Sequence, residues 1–441
     1  MIAIVVSRAD EASEHIGERL LELGEWKRRV DDSRPDADGG GACYRTDGFE
    51  LRTFDDLHLN VEDAAAAFDD PDVLVFASRH SGETGPLLTA HFTGNFGPAE
   101  FGGEAGALAE ACPNAHARCV ESFAEHAPEG YGVGIECTHH GPSRVGVPSM
   151  FVELGSDEAE WRDPAGARAV ARAILDLRGT TPHRDRTVVG FGGGHYAPRF
   201  TRIVRETDWA VGHIAADWCV DAMGSPEANR DVVRRTFERS GTEYAVVDGD
   251  YPELERTIED LGYRVVSETW VREVDDRPLP LVERVESALD SIDDGLRFGD
   301  RDEPAPGEFD VVSLPDELLA EAQAIDPDAT RAAVASATVA FETVENGTRA
   351  QGRAAVPTGT DTADLADALT AILSEKYDQV ARNGDALVAT ETVFDPELAA
   401  KLGVPEGPAF GALADGESVT VDGEPIPPEV VHTERTHRFD L

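Results

Sequence analysis

Short apolar runs rich in β-branched residues alternate with amphipathic stretches from residue 1 to about residue 274, and this alternation limits the fold more than any other feature. The runs at 2–7 (IAIVVS), 73–78 (VLVFAS), 132–137 (GVGIEC), 149–154 (SMFVEL), 187–194 (TVVGFGGG) and 244–249 (YAVVDG) are closed by turn residues and read as buried strands. Between them the apolar spacing predicts helices over 10–23, 106–126, 164–177, 226–240 and 252–261. Asp163-Pro164 and Ser225-Pro226 each offer an N-cap followed by proline at the first helical position. CYRTDGFELRTF, 43–54, signals a hairpin around Asp47-Gly48. The expected fold class is therefore α/β, a mixed, mainly parallel sheet with helices on both faces.

The chain has 441 residues, too many for one ordinary core. We expect a first domain at 1–274, an acidic, proline- and glycine-rich linker at 275–310, and a smaller α+β extension at 311–441. Within that extension, 361–384 reads as helical, and a hairpin is signalled at Asp422-Gly423.

Charge sets the environment. Eighty-six acidic residues oppose 39 basic ones, a formal net charge of −47, and only Lys27, Lys376 and Lys401 are lysines. Such a surface repels itself at low salt. At molar salt the Debye length falls to about 3 Å and the repulsion is screened, which points to an extreme halophile. The same screening weakens phosphate binding for any protein, so acidity does not exclude an RNA substrate, whereas a DNA partner is not expected. The five cysteines lack CxxC spacing, which argues against a zinc ribbon or disulfide scaffold. No apolar run reaches the roughly 18 residues of a membrane span, and the N-terminal apolar run is too short for a signal peptide. A cytoplasmic protein, with a monomer favoured, is expected.

Polar residues gather where the predicted strands end, the usual ligand crevice of an open α/β sheet. The first cluster is Arg79, His80, Ser81 and Glu83, joined by His91 and Asn95. The second, ECTHHGP, holds Glu136, Cys137, His139 and His140; the third is Glu153; the fourth is GFGGGHYAPRFT, with Gly193, Gly194, His195, Tyr196 and Arg199; the fifth is His213. Singly, each has a plain structural explanation. A strand-end histidine can be a satisfied core residue, Glu153 can pair with Arg144 or Arg162, and the glycine run lacks the lysine of a P-loop. Five clusters at five strand ends suggest one site. Histidines and carboxylates without cysteine pairs suit catalytic zinc, which acidifies water for ester or amide hydrolysis. Cys137 beside the two histidines is a competing nucleophile, or a buried structural thiol.

In this order the segments SRHSGETGPLLTAHFTGNFG, ECTHHGP, FVELGS, GFGGGHYAPRFT and VGH resemble the archaeal-type D-aminoacyl-tRNA deacylase family over about 1–274. The resemblance implies a phosphorylase/peptidyl-tRNA hydrolase-like fold and a zinc-dependent hydrolase that frees tRNA and D-amino acid from D-aminoacyl-tRNA. Carried over, it makes His80, His139, His140, Glu153 and His195 candidates for metal binding and catalysis; we take His80, His139, His140 and His195 as candidate metal ligands and Glu136, His139, His140 and Glu153 as candidate catalytic groups. Arg79, His91, Asn95, Gly193, Gly194, Tyr196, Arg199 and His213 are candidates for substrate binding. The backbone of 192–194 is a candidate oxyanion hole. The extension departs from the compact members; its segment LGVPEGPAFGALADGESVTVDGEPIPPEVV is similar to a part of ribonuclease Z enzymes but lacks their HxHxDH motif, so an accessory role is expected. Arginines in WKRR (26–29), HRDR (183–186) and RFTRIVR (199–205) are candidates for holding tRNA. The remaining alternatives are a metal-dependent amidohydrolase or peptidase on small molecules, and a non-catalytic nucleotide-binding protein.

Overall fold

Strand β1 (Ile2–Ser7) is buried at every position. Its alternate side chains enter two different cores: Ile2, Ile4 and Val6 pack with Ile16 and Leu20 on one side, Ala3 and Val5 with Val61 and Phe68 on the other. This is why the run reads as continuously apolar rather than alternating. The computed structural model describes residues 1–302, 309–359 and 363–441. The chain folds into two compact units, Met1–Asp275 and Asp276–Leu441.

In the first unit, β1 sits inside an eight-stranded sheet with β2 (Lys27–Asp31), β3 (Gly41–Thr46), β4 (Phe49–Phe54), β5 (Val73–Arg79), β6 (Leu87–His91), β7 (Gly132–Ile135) and β8 (Ser149–Gly155), in the order β2-β3-β4-β1-β5-β8-β6-β7. The hairpin at Asp47-Gly48 joins β3 to β4, with Gly48 at φ +80°. Helix Glu11–Leu23 starts at Asp10, whose carboxylate accepts from the Ser13 amide at 3.1 Å.

The expected mixed, mainly parallel sheet is present, but the structure differs in dividing the strands between two sheets. Strands β9 (Thr187–Gly192), β10 (Ala210–Ala215), β11 (Tyr244–Asp248) and β12 (Arg264–Val265) form a separate, wholly parallel sheet ordered β10-β9-β11-β12. In the larger sheet β2–β3, β3–β4 and β6–β8 pair antiparallel. An apolar run announces a buried strand but carries no record of its partner or direction. Two helices begin later than the spacing suggested, at Pro113 and Arg230, because Pro113 is itself an N1 residue and 225–229 close a turn first.

In the second unit, an antiparallel sheet of Arg297–Phe298, Phe309–Ser313, Ala340–Val344 and Arg349–Pro357 carries helices Asp316–Ile325, Pro327–Ala337 and Ala363–Leu373. A second sheet joins Gln379–Arg382, Ala386–Phe394 and His432–Asp440. The helical reading of 361–384 holds only for its first half: Gln379–Arg382 is a strand whose pairing with Leu387–Thr390 overrides local preference, and 361–362 lie outside the described residues. The stretch read as a linker, 275–310, carries helix Leu279–Ala288 and buries Ile292 and Leu296; its residues 303–308 are likewise outside the description. Asp422-Gly423, with φ +51° and +87°, turns a short hairpin. Among the described residues no helix is long and apolar enough to cross a membrane.

Candidate active site

The parallel strands β5 and β8 deliver His80 and Glu153 to one end of the sheet, with Ser78 level with Glu153 in the register. β6 runs antiparallel beside β8, so His91 at its end faces Phe151. The loop after β7 supplies Glu136, His139 and His140, and the turn after β9 supplies His195. Backbone hydrogen bonds lock these loops together: the Cys137 amide donates to the His195 carbonyl at 2.9 Å, and the Gly94 amide to the His140 carbonyl at 2.7 Å.

His80, Glu136, His139, His140, Glu153 and His195 wall a cavity of about 460 Å³, together with Asp10, His58, Ser78, Arg79 and Phe101, while His91 lies buried behind it. At its floor the buried Glu136 carboxylate lies between two histidines. Its Oε1 is 3.0 Å from His80 Nδ1, and its Oε2 accepts from His195 Nε2 at 2.8 Å. Glu153 lies 3.7 Å from both His80 Nδ1 and His91 Nε2. Burial disfavours charge throughout, but mutual pairing outweighs it. His80 is raised to about 10 by the hydrogen bonds and charges of Glu136 and Glu153. Glu136 is held well below the carboxylate range by His195 and His80, and Glu153 is lowered to about 2 by His80 and His91.

A second group is built from His91, His139 and His140, whose rings lie 4.5–4.7 Å apart. Each donates Nδ1–H to a backbone carbonyl: His91 to Phe92 at 2.9 Å, His139 to Cys137 at 2.8 Å, His140 to Gly141 at 2.8 Å. That makes Nδ1 the donor in all three and, where the ring is neutral, leaves the Nε2 lone pair available, the arrangement a metal requires. Burial lowers His139 well below its usual value and His140 to about 4, keeping both neutral, whereas pairing with Glu153 outweighs burial and raises His91. The buried His91 Nε2 and Glu136 Oε1 make no well-formed hydrogen bond. A carboxylate oxygen on the cavity wall and a buried nitrogen behind it, each met only by an opposite charge at 3.0 and 3.7 Å, fit a bound cation. Three donor sets around this cavity lie within metal-ligand reach, His91–His139–His140, Cys137–His139–His195 and His80–Glu136–Glu153, and a fourth, Glu125–His126–Asp176, lies apart from it.

Several expected residues serve other purposes. His213 is fully buried, donating to the Ala109 carbonyl at 2.8 Å and accepting from Thr138 Oγ1 at 2.9 Å, so neither nitrogen is available. Asn95 donates to the Gly102 carbonyl at 2.9 Å and shapes a loop rather than the cavity wall. Arg199 is engaged by Asp248 at 3.0 Å and Glu268 at 3.3 Å. Gly193 and Gly194 do not line the cavity; Gly193, at φ +74°, packs where a Cβ would meet Asp248 Oδ2 at 2.6 Å. Tyr196 reaches His80 Nε2 through its hydroxyl at 3.3 Å, and Arg79 lines the cavity with its guanidinium over Trp161. Arg144 and Arg162 pair with Glu104 and Glu11, leaving Glu153 to the histidines. The Cys137 thiol is pushed up by hydrogen bonding to Cys219 and by burial, which disfavours the thiolate a nucleophile needs.

A profile of the D-aminoacyl-tRNA deacylase family matches residues 67–266, which contain all of these histidines except His58. A D-aminoacyl-tRNA deacylase of Halorubrum lacusprofundi is 59% identical over 100% of this chain and 97% of its own length. One from Natronomonas pharaonis is 55% identical over 100% of both. The chain belongs to the D-aminoacyl-tRNA deacylase family. It is thus a hydrolase with relatives in halophilic archaea, in keeping with its acidic surface. A crystal structure described as a conserved protein of unknown function is similar over 63% of this chain and 97% of its own, at 28% identity and a TM-score of 0.55. That partial coverage contrasts with the two halophilic deacylases, which match along the whole chain, second unit included.

Sequence reasoning overlooked Asp10, His58 and Ser78 in this cavity, and Phe101, most simply expected in the core, is instead 62% exposed at its wall. Asp10 follows β1 closely, so the strand-end rule that located His80 applied to it as well. His58 lies in a short 3₁₀ turn with no strand beside it and carried no such signal.

Proposed function

We propose that the chain hydrolyses the ester of D-aminoacyl-tRNA to free tRNA and D-amino acid, and that zinc held by His91, His139 and His140 takes part. The observation that carries this is the buried Glu136 carboxylate between His80 and His195 at the floor of the cavity, beside three imidazoles whose Nδ1 atoms are tied to backbone carbonyls. Zinc bound there would supply Lewis acidity and lower the pKa of a water toward about 7. Glu136, whose Oε1 faces His80 and whose Oε2 accepts from His195, is the proton acceptor in this reading. His80, raised to about 10, remains an imidazolium and offers positive charge where the ester carbonyl becomes an oxyanion. It takes the place of the backbone of 192–194, which does not reach the cavity. Glu153 keeps His80 and His91 oriented. Rejection of L-esters is steric, through the walls around the Cα substituent.

The reading extends to a phosphorylase/peptidyl-tRNA hydrolase-like catalytic unit, supported by the mixed sheet, and to an accessory role for the second unit. A monomer working in a cytoplasm of molar salt completes it. For tRNA, Lys27, Arg28 and Arg29 are exposed along the edge strand β2, whereas Arg184, Arg199 and Arg202 are tied to neighbours. Charges on an edge strand also discourage sheet-to-sheet aggregation.

The test is hydrolysis of D-tyrosyl-tRNA against L-tyrosyl-tRNA in molar KCl, with and without a chelator. Chelator-sensitive loss of the D-ester alone is the expected result. Equal hydrolysis of both esters would sink the stereochemical reading, and turnover of free D-tyrosine esters without tRNA dependence would favour a small-molecule amidohydrolase.

A further inference from the structure

Only three Phe, Tyr or Trp side chains among the described residues are exposed, Phe101 at 62%, Trp218 at 48% and Tyr196 at 37%, and each lines or adjoins the wall of the same cavity. Phe101 is part of the cavity wall. The Trp218 ring lies nearly parallel over the wall residue His195, centroids 6.4 Å apart at 17°. Tyr196 meets His195 edge-on at 4.9 Å and His80 at 5.6 Å. Every other Phe, Tyr or Trp of the described residues is buried or half-buried. Exposed rings concentrated at one opening mark a surface that something apolar and flat covers.

We propose that Phe101 and Trp218 form a stacking platform for the terminal adenine base of the tRNA. This rests on the deacylase reading: the ester joins the amino acid to the terminal ribose, so when the carbonyl is at Glu136 the attached base must lie at the opening. Two further observations support it. Both rings are presented on fixed backbone. The Phe101 carbonyl accepts from the Gly141 amide at 3.0 Å, and a Cβ at the following Gly102, at φ +76°, would clash with the Leu59 carbonyl, so the loop has one way to pass. Beside Trp218, the Asp217 amide donates to the Gly193 carbonyl at 2.9 Å and the Asp217 carboxylate accepts from Tyr251 at 2.7 Å. Backbone already held in place loses little entropy on binding.

The second is the charge. With a net charge of −47, the chain is built for salt concentrations at which phosphate contacts contribute little. Base stacking loses nothing to charge screening, and every base has a face to offer. A halophilic enzyme that must hold an RNA end therefore gains most from apolar rings, and these stand where that end must be.

Anisotropy of a 5′-labelled CCA trinucleotide in about 3 M KCl tests this, compared with the same oligomer carrying an abasic terminal ribose. We expect CCA to bind at least about tenfold more tightly than the abasic form, and Phe101→Ala and Trp218→Leu each to weaken CCA by about tenfold while leaving the abasic form unchanged. Affinity for CCA should stay nearly flat between 1 and 3 M KCl. Equal affinity for CCA and the abasic form, or unchanged binding in folded Phe101→Ala and Trp218→Leu proteins, would overturn the platform. If one variant fails to fold, the other still decides. No ester takes part in this assay, so its failure is distinct from failure to hydrolyse D-tyrosyl-tRNA.

Discussion

His80 Nδ1 lies 3.0 Å from Oε1 of Glu136, and both side chains are almost completely buried. A buried pair of this kind holds both charges because each stabilises the other; removing one leaves the other uncompensated. The cavity floor is therefore a polarised cluster rather than a set of independent residues.

Glu136→Gln keeps the shape and removes the charge. The expected outcome is a fall in kcat of about 10²- to 10⁴-fold, the usual contribution of a positioned proton acceptor. His80 should also titrate lower, observable by NMR of its ring protons. A rate within threefold of the parent would exclude Glu136 as the acceptor.

Alanine at His91, His139 or His140 should release zinc, measured by mass spectrometry of the desalted protein, and reduce deacylation by about 100-fold or more, since even a lost hydrogen-bond partner of a ligand costs roughly 10- to 100-fold. Full zinc content in all three variants would assign the metal elsewhere.

The buried His116 has its pKa lowered to about 4, chiefly by burial, with the Ala90 carbonyl opposing. Unfolded, it titrates near 6.5, so between pH 6.5 and 4 the unfolded chain binds the extra proton and stability falls with pH. The contribution is fully present above pH 6.5 and is lost as pH approaches 4, on the order of 3 kcal/mol. His116→Gln should flatten that part of the curve of unfolding midpoint against pH. Parallel curves for parent and variant would show that another group governs it.

Raising KCl from 0.1 to 3 M should increase the thermal midpoint markedly, because a net charge of −47 is self-repulsive until the Debye length shrinks to about 3 Å. A midpoint independent of KCl would remove the halophilic explanation of the composition.

Reversing charge at Arg28 and Arg29 should raise KM for D-tyrosyl-tRNA with kcat unchanged, and more strongly at 0.5 M than at 3 M KCl. An unchanged KM at both concentrations would leave these arginines only their role at the sheet edge.

Local chemistry was readable without coordinates wherever it is local in the chain. The runs at 2–7, 73–78 and 149–154 became β1, β5 and β8 because β-branched residues bounded by turns have few other ways to bury themselves. Asp47-Gly48 and Asp422-Gly423 became hairpins because their backbones tolerate positive φ. The histidines at the strand ends could be assembled in outline, since the ends of adjacent strands converge.

What tertiary structure alone decided is partnership. It separated β9–β12 into a second sheet, turned Gln379–Arg382 from helix to strand, and withdrew His213 and Asn95 from the cavity by satisfying their hydrogen bonds elsewhere. It brought in His58 and Asp10, and it divided the histidines into those held charged by Glu136 and Glu153 and those kept neutral by burial. Residue identity determines what a side chain can donate, accept or bury. Which of these it does depends on neighbours that the chain brings near only after folding, and in a low-dielectric interior those neighbours set both charge and role.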